Sequence, residues 1–250
     1  MNRRPNSLEE LPFEGELDIL HILMLQAFRP HFLNRYVLGD LTLLSCLVFA
    51  WLYPQFGDRL MRPLEKLGAR LAVRKRLAVF SVAVAVALVR LALLPVSPVP
   101  IAHYDDEFSY LLAGDTFAHG RLTNPPHPMW VYLETGNVNQ RPTYMSKHPP
   151  AQGAALAVGE MMGNPWFGVV LSVCGMCAAV LWMLQGWVPP SWALFGALLV
   201  LLRLGISSYW VNTYWGGAAA AIGGALVIGA LPRILHWYRF RNSLILEAVA

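Results

Sequence analysis

Long apolar runs alternate with short polar, proline-bearing stretches along this chain. Residues 77–94, 165–187, 191–210 and 216–235 each hold about 18 to 23 mostly apolar positions. A bilayer crossing takes about 20 such residues as a helix. Residues 37–53 form a further apolar run of about 17, at the short end of that range. Asn164 and Pro165 read as N-cap and first helical residue of the 165–187 run. Pro189 and Pro190 separate that run from the next. The last run is rich in Gly and Ala, as close helix packing in membranes favours. Residues 151–162 are apolar but short and carry Glu160, so they read as a helix at the interface or dipping into the membrane. The pattern predicts an all-α, polytopic transmembrane bundle of about five spans, with a partly helical extracytoplasmic loop.

Composition sharpens this picture. Charged residues are 14% of 250, hydrophobic residues 56%, and mean hydropathy is +0.45. Too few charges remain to cover a water-soluble globule, and a disordered, collagenous or disulfide-scaffold chain is excluded. The net charge of +4 fits basic membrane flanks rather than nucleic-acid binding. Cys46, Cys174 and Cys177 all lie in apolar runs, so the CxxC spacing of the last two reads as packing. Residues 1–36 form a polar, amphipathic N-terminal segment. Its first 18 residues carry Glu9, Glu10, Glu14, Glu16 and Asp18, without the basic region followed by an apolar stretch that a cleaved signal peptide has.

Orientation follows from Lys and Arg in the short loops. Residues 54–76 hold Arg59, Arg62, Lys66, Arg70, Arg74, Lys75 and Arg76 against Asp58 and Glu65, and are expected to be cytoplasmic. Arg233, Arg239 and Arg241 put the stretch after the last span on the same side. The N-terminus, the loop 95–150 and the turn 210–215 then lie outside. The expected division is 1–36, then an extra span with its basic loop at 37–76, then the main membrane region at 77–250. The expected setting is the cytoplasmic membrane, with the active loop on its outer face.

The outer loop gathers unusual polar chemistry. Asp105, Asp106 and Glu107 follow His103 and Tyr104 directly after a span. Adjacent carboxylates raise one another's pKa, which suits a general base or a cation site. The same acids also suit a helix start, with Asp105 or Asp106 as N-cap. Phe108, Leu111 and Leu112 then sit at helical spacing, and Gly120 is a C-terminal stop. Lys147 stands where the chain returns to the membrane, either snorkelling or pairing with an anionic headgroup. Arg90 and Arg203 lie near the outer ends of their spans, placed either to snorkel or to meet a lipid phosphate. The aromatic residues around the 209–215 turn read as an interface belt.

These motifs resemble the GT-C superfamily of membrane glycosyltransferases, in its protein O-mannosyltransferase and aminoarabinose-transferase branch. The resemblance rests on Asp106–Glu107–Phe108–Ser109–Tyr110, on the following helix through Ala113–Gly114–Asp115 to Gly120–Arg121–Leu122, and on Lys147–His148–Pro149–Pro150. It covers about residues 77–235. It implies transfer of a sugar from a polyprenyl-phosphate donor to a protein, lipid or glycan acceptor on the non-cytoplasmic face. By position, Asp106 would be the base, with Glu107 or Asp105 assisting. Lys147, with Arg90 and Arg203, would hold the donor phosphate, and His103, Tyr110 and His148 would contact substrate. A divalent metal bridging Asp105, Asp106 and Glu107 to the phosphate is a further option.

The chain departs from that family in three ways. It is about half the usual length or less. The 207–217 turn lacks the second acid that many relatives carry. Residues 37–53 are an extra span. Residues 241–246 read as the start of another helix, so the expectation is the N-terminal portion of a longer enzyme or a shortened relative. Two other readings compete. One is a non-catalytic membrane protein binding a lipid phosphate or a partner subunit. The other is a transporter, disfavoured because its acids sit in an outer loop rather than at mid-membrane.

Overall fold

A computed structural model describes residues 41, 44–49, 51–53, 58–206 and 208–249. The polar segment 1–36 and the start of the 37–53 run lie outside the described residues. Two compact units divide the chain, Met1–Arg62 and Pro63–Ala250. In the first, residues 44–49 and 51–52 are helical and expose their apolar side chains.

The second unit is built of helices, as the apolar pattern requires. In chain order the helices from Asp58 on are α1 (Asp58–Val73), whose first five residues fall in the first unit, α2 (Lys75–Ala92), α3 (Asp105–Ala118), α4 (Pro150–Met161), α5 (Trp166–Trp187), α6 (Pro190–Val200), α7 (Tyr209–Asn212) and α8 (Gly217–Val249). Two short antiparallel strands, β1 (Val138–Asn139) and β2 (Met145–Ser146), pair inside the loop between α3 and α4.

Helices α5 and the first 22 residues of α8 (Gly217–Tyr238) are long and apolar enough to cross a membrane. Helix α2 is nearly as long, but it carries Lys75 and Arg76 at one end and Arg90 at the other. The expected span at 191–210 is not continuous. Helix α6 passes into a π-helical turn at Leu201–Gly205, and the short α7 starts separately at Tyr209. The last helix is longer than its apolar run, continuing to Val249 past Pro232.

Local chemistry explains the boundaries. The Asn164 side chain accepts from the Trp166 N–H at 2.9 Å, the N-cap bond expected of it. Gly120 takes φ +69°, the left-handed geometry that ends α3. Pro190 occupies the first turn of α6, where its missing N–H costs no hydrogen bond.

Helix α5 is the centre of the core. Trp166, Val169, Val173, Met176, Cys177 and Leu181 are buried, packed with Val82 and Val86 of α2 and Ala193 and Ala197 of α6. Cys174 and Cys177 are free thiols within this core. Helix α4 exposes Ala151, Ala154, Val158 and Glu160 on one face and buries Gln152, Gly153, Leu156 and Gly159 on the other. It is packed between α3 and α5 by small residues, because only glycine lets the backbones approach so closely. A Cβ on Gly159 would run into the Gly168 N–H, and one on Gly168 into the Ala155 carbonyl. A Cβ on Gly153 would stand 2.7 Å from Ala113 Cβ.

Candidate functional site

The three consecutive acids point in three directions, since successive helical residues are about 100° apart. Glu107 is 2% exposed. Its Oε2 accepts from the backbone N–H groups of His103 (2.9 Å) and Tyr104 (3.2 Å), and its Oε1 from the Tyr214 N–H at 3.0 Å. Glu107 therefore caps α3 and ties it to the turn before α8. The N-cap residue is Tyr104, in extended geometry, so neither Asp105 nor Asp106 caps the helix. The helix starts one residue earlier than the acids alone suggest, and the third acid reaches back to satisfy its end.

Asp106 lies one step round the helix and its side chain is 48% exposed. His148 Nε2 is 4.0 Å from Asp106 Oδ1, beyond hydrogen-bond length. That nitrogen is buried and has no hydrogen-bond partner among the described residues. The His148 ring stacks on Tyr110, with centroids 4.3 Å apart and planes 15° apart. Tyr110 is one turn after Asp106, so the two share a face of α3. A Cβ on Gly216 would stand 3.0 Å from the Tyr110 hydroxyl and 3.3 Å from Gln152 Cβ. Gln152 Oε1 and the neighbouring Trp215 Nε1 are also buried without partners. Two of these atoms, His148 Nε2 and Gln152 Oε1, unpartnered among the described residues, belong to side chains packed near Tyr110. Burial raises the Tyr110 pKa above its ordinary value, and nearby Asp106 adds to the rise while the Gly216 backbone opposes it.

Asp105 belongs to a different surface. With Phe108, Ser109 and Leu112 it lines a cavity of about 510 Å³ closed by Pro125, Pro126, His127, Pro128, Gln140 and Tyr144. Gln140 is 6% exposed, and its Nε2 donates to the Leu133 carbonyl at 2.7 Å. Its Oε1 is left unpartnered at the cavity wall. Ser109 fixes this loop to the helix. It donates to the Asn137 carbonyl at 2.6 Å and sits 2.8 Å from Ser146 Oγ, which in turn accepts from the His148 N–H at 3.1 Å.

The cations expected to meet a phosphate separate. Lys147 is exposed and donates through Nζ to the Gly136 carbonyl at 3.0 Å. Arg203 is exposed on the π-helical turn. Arg90 is 0% exposed. It donates to Asn212 Oδ1 at 2.8 Å and to the Pro98 carbonyl at 3.5 Å, and its guanidinium lies 5.3 Å from the Trp166 ring centroid. It holds the end of α2 against α7, while its Nε and second terminal nitrogen have no partner. His103 is exposed and contributes its backbone N–H to Glu107.

Among the described residues no group of three His, Cys, Asp or Glu is placed to hold a metal. The divergence of Asp105, Asp106 and Glu107, with Glu107 saturated by three N–H groups, does not fit a shared cation. Sequence reasoning missed Ser109, Ser146, Gln140, Gln152 and Asn212. The one signal available was polarity inside otherwise apolar or proline-rich stretches. Comparisons with protein-family models, with curated proteins and with solved structures found no match.

Proposed function

We propose that the chain is an integral membrane glycosyltransferase of GT-C type, or part of one, using a polyprenyl-phosphate sugar at the outer face of the cytoplasmic membrane. In this reading α2, α5, α6 with its π turn, α8 and the apolar run 37–53 make about five spans. One observation carries it. Asp106 is half-exposed and shares a face of α3 with Tyr110, 4.0 Å from a His148 Nε2 that is buried and without a hydrogen-bond partner among the described residues.

The reaction asks for a base and a cation. Asp106 takes the proton of the acceptor hydroxyl, whose oxygen forms the new bond to the anomeric carbon. The bond from that carbon to the phosphate oxygen breaks, and polyprenyl phosphate leaves with the electron pair. Lys147 meets the leaving phosphate, since its single bond to Gly136 leaves two N–H donors free. His148 and Tyr110 frame the sugar, and Asp105 lines the cavity in which the body of the acceptor rests.

The test is release of polyprenyl phosphate by the full-length protein in proteoliposomes, from mannose- or aminoarabinose-linked donors. Wild-type turnover that falls about a thousandfold in Asp106→Asn supports the reading. Binding of polyprenyl phosphate without any wild-type turnover would leave the non-catalytic reading instead.

A further inference from the structure

The end of the bundle opposite the outer loop carries a second cavity, of about 370 Å³. Its walls are Lys75, Arg76 and Val79 from the start of α2, Trp182 and Gln185 from the end of α5, and Arg233 of α8. Three cations and no acid line it. Arg233 is held in place. It donates to the Gly229 carbonyl and, at 2.7 Å, to the Trp182 carbonyl, and its guanidinium lies 3.8 Å from the Trp182 ring centroid. Gln185 Nε2 donates to the Lys75 carbonyl at 3.1 Å, tying α5 to the first turn of α2. The walls are therefore fixed by contacts that leave the charge unspent. Lys75 and Arg76 are exposed and make no side-chain hydrogen bond or ion pair among the described residues. The positive end of the α2 dipole adds to the field.

The height of the cavity identifies what fills it. Trp187, Trp192, Trp237 and Tyr238 are exposed at the same end of the bundle, the residues that mark a membrane–water boundary. Toward the middle, helices α2 and α8 expose Phe80, Ile228 and Leu231. A ligand here meets cations at its head and apolar side chains along its body. We propose that this cavity binds the phosphate of an anionic phospholipid from the leaflet at the basic end of the bundle. Basic pockets between helices on the cytoplasmic side recognise such headgroups. The inference needs the bundle to sit in a bilayer and does not depend on sugar transfer.

The experiment counts lipid carried by the full chain after extraction from vesicles of phosphatidylcholine mixed with phosphatidylglycerol, using native mass spectrometry. Wild type retains phosphatidylglycerol in preference to phosphatidylcholine. Lys75→Gln with Arg76→Gln lowers that retention on the order of twentyfold, and Arg76→Gln alone about fivefold. Arg121→Gln, which removes an exposed cation of the outer loop, leaves it unchanged. Thermal unfolding in pure phosphatidylcholine checks that the variants are folded. Equal retention of both lipids by wild type, or unchanged retention in the double variant, overturns the proposal. So does equal protection by inorganic phosphate alone, which would make the ligand a soluble anion.

Discussion

Two sides of helix α3 treat neighbouring carboxylates in opposite ways. On the side facing the Tyr214 turn, Glu107 is buried and accepts three backbone N–H groups. On the side facing His148, Asp106 is half-exposed, and the buried His148 Nε2 lacks a hydrogen-bond partner among the described residues. A saturated acid stabilises the fold and has no capacity left for chemistry. Unsaturated buried groups cost stability, and in the proposed reading the substrate completes the set. The difference teaches that the acidic triplet is not one site but a structural clamp beside a half-exposed carboxylate, the one that the proposed reaction uses as base.

The comparison can be broken first at the clamp. Glu107→Gln puts an amide donor among three backbone donors, and should cost about 3 kcal/mol in chemical or thermal unfolding. An unchanged midpoint would mean that Glu107 does not hold α3 to the Tyr214 turn. Gly216→Ala probes the other side. The new Cβ would crowd the Tyr110 hydroxyl and Gln152, so transfer should fall roughly tenfold to a hundredfold. Its effect on stability should be under about 1 kcal/mol, because the tip of Tyr110 can give way. Ser109→Ala removes the bond to the Asn137 carbonyl and should cost about 1 kcal/mol, with faster proteolysis of the loop between α3 and α4.

The smallest effect is alkaline. Burial raises the pKa of both Tyr110 and Tyr214, with Asp106 adding to the first and Glu107 then Glu160 to the second. Folding thus favours the neutral phenols. Their stabilisation is complete below the ordinary value of about 10 and is lost as pH rises through the raised folded values. Phenolate absorbance should therefore appear at higher pH in the folded protein than in the unfolded chain.

Much of the helical layout was legible because apolar runs and breakers are local signals. Asn164, Pro190 and Gly120 each act at the boundary where their chemistry puts them. The break after Gly205 was not legible, since Gly205, Ser207 and Ser208 are small residues that membrane helices also carry, and a π turn has no composition of its own. Nor was the packing of α4, which depends on glycines of two helices meeting in space. At the site, the sequence located Asp106, Tyr110 and His148 but could not divide the acids. That division rests on the Tyr214 N–H, over a hundred residues away along the chain.

The central claim is that Asp106 carries chemistry while Glu107 carries structure. The most direct measurement sets transfer rate against unfolding midpoint for wild type, Asp106→Asn and Glu107→Gln, with the full-length protein in the same proteoliposomes. The account predicts that Asp106→Asn loses transfer about a thousandfold with its midpoint unchanged, while Glu107→Gln lowers the midpoint. Wild-type transfer by Asp106→Asn, at an unchanged midpoint, would contradict it.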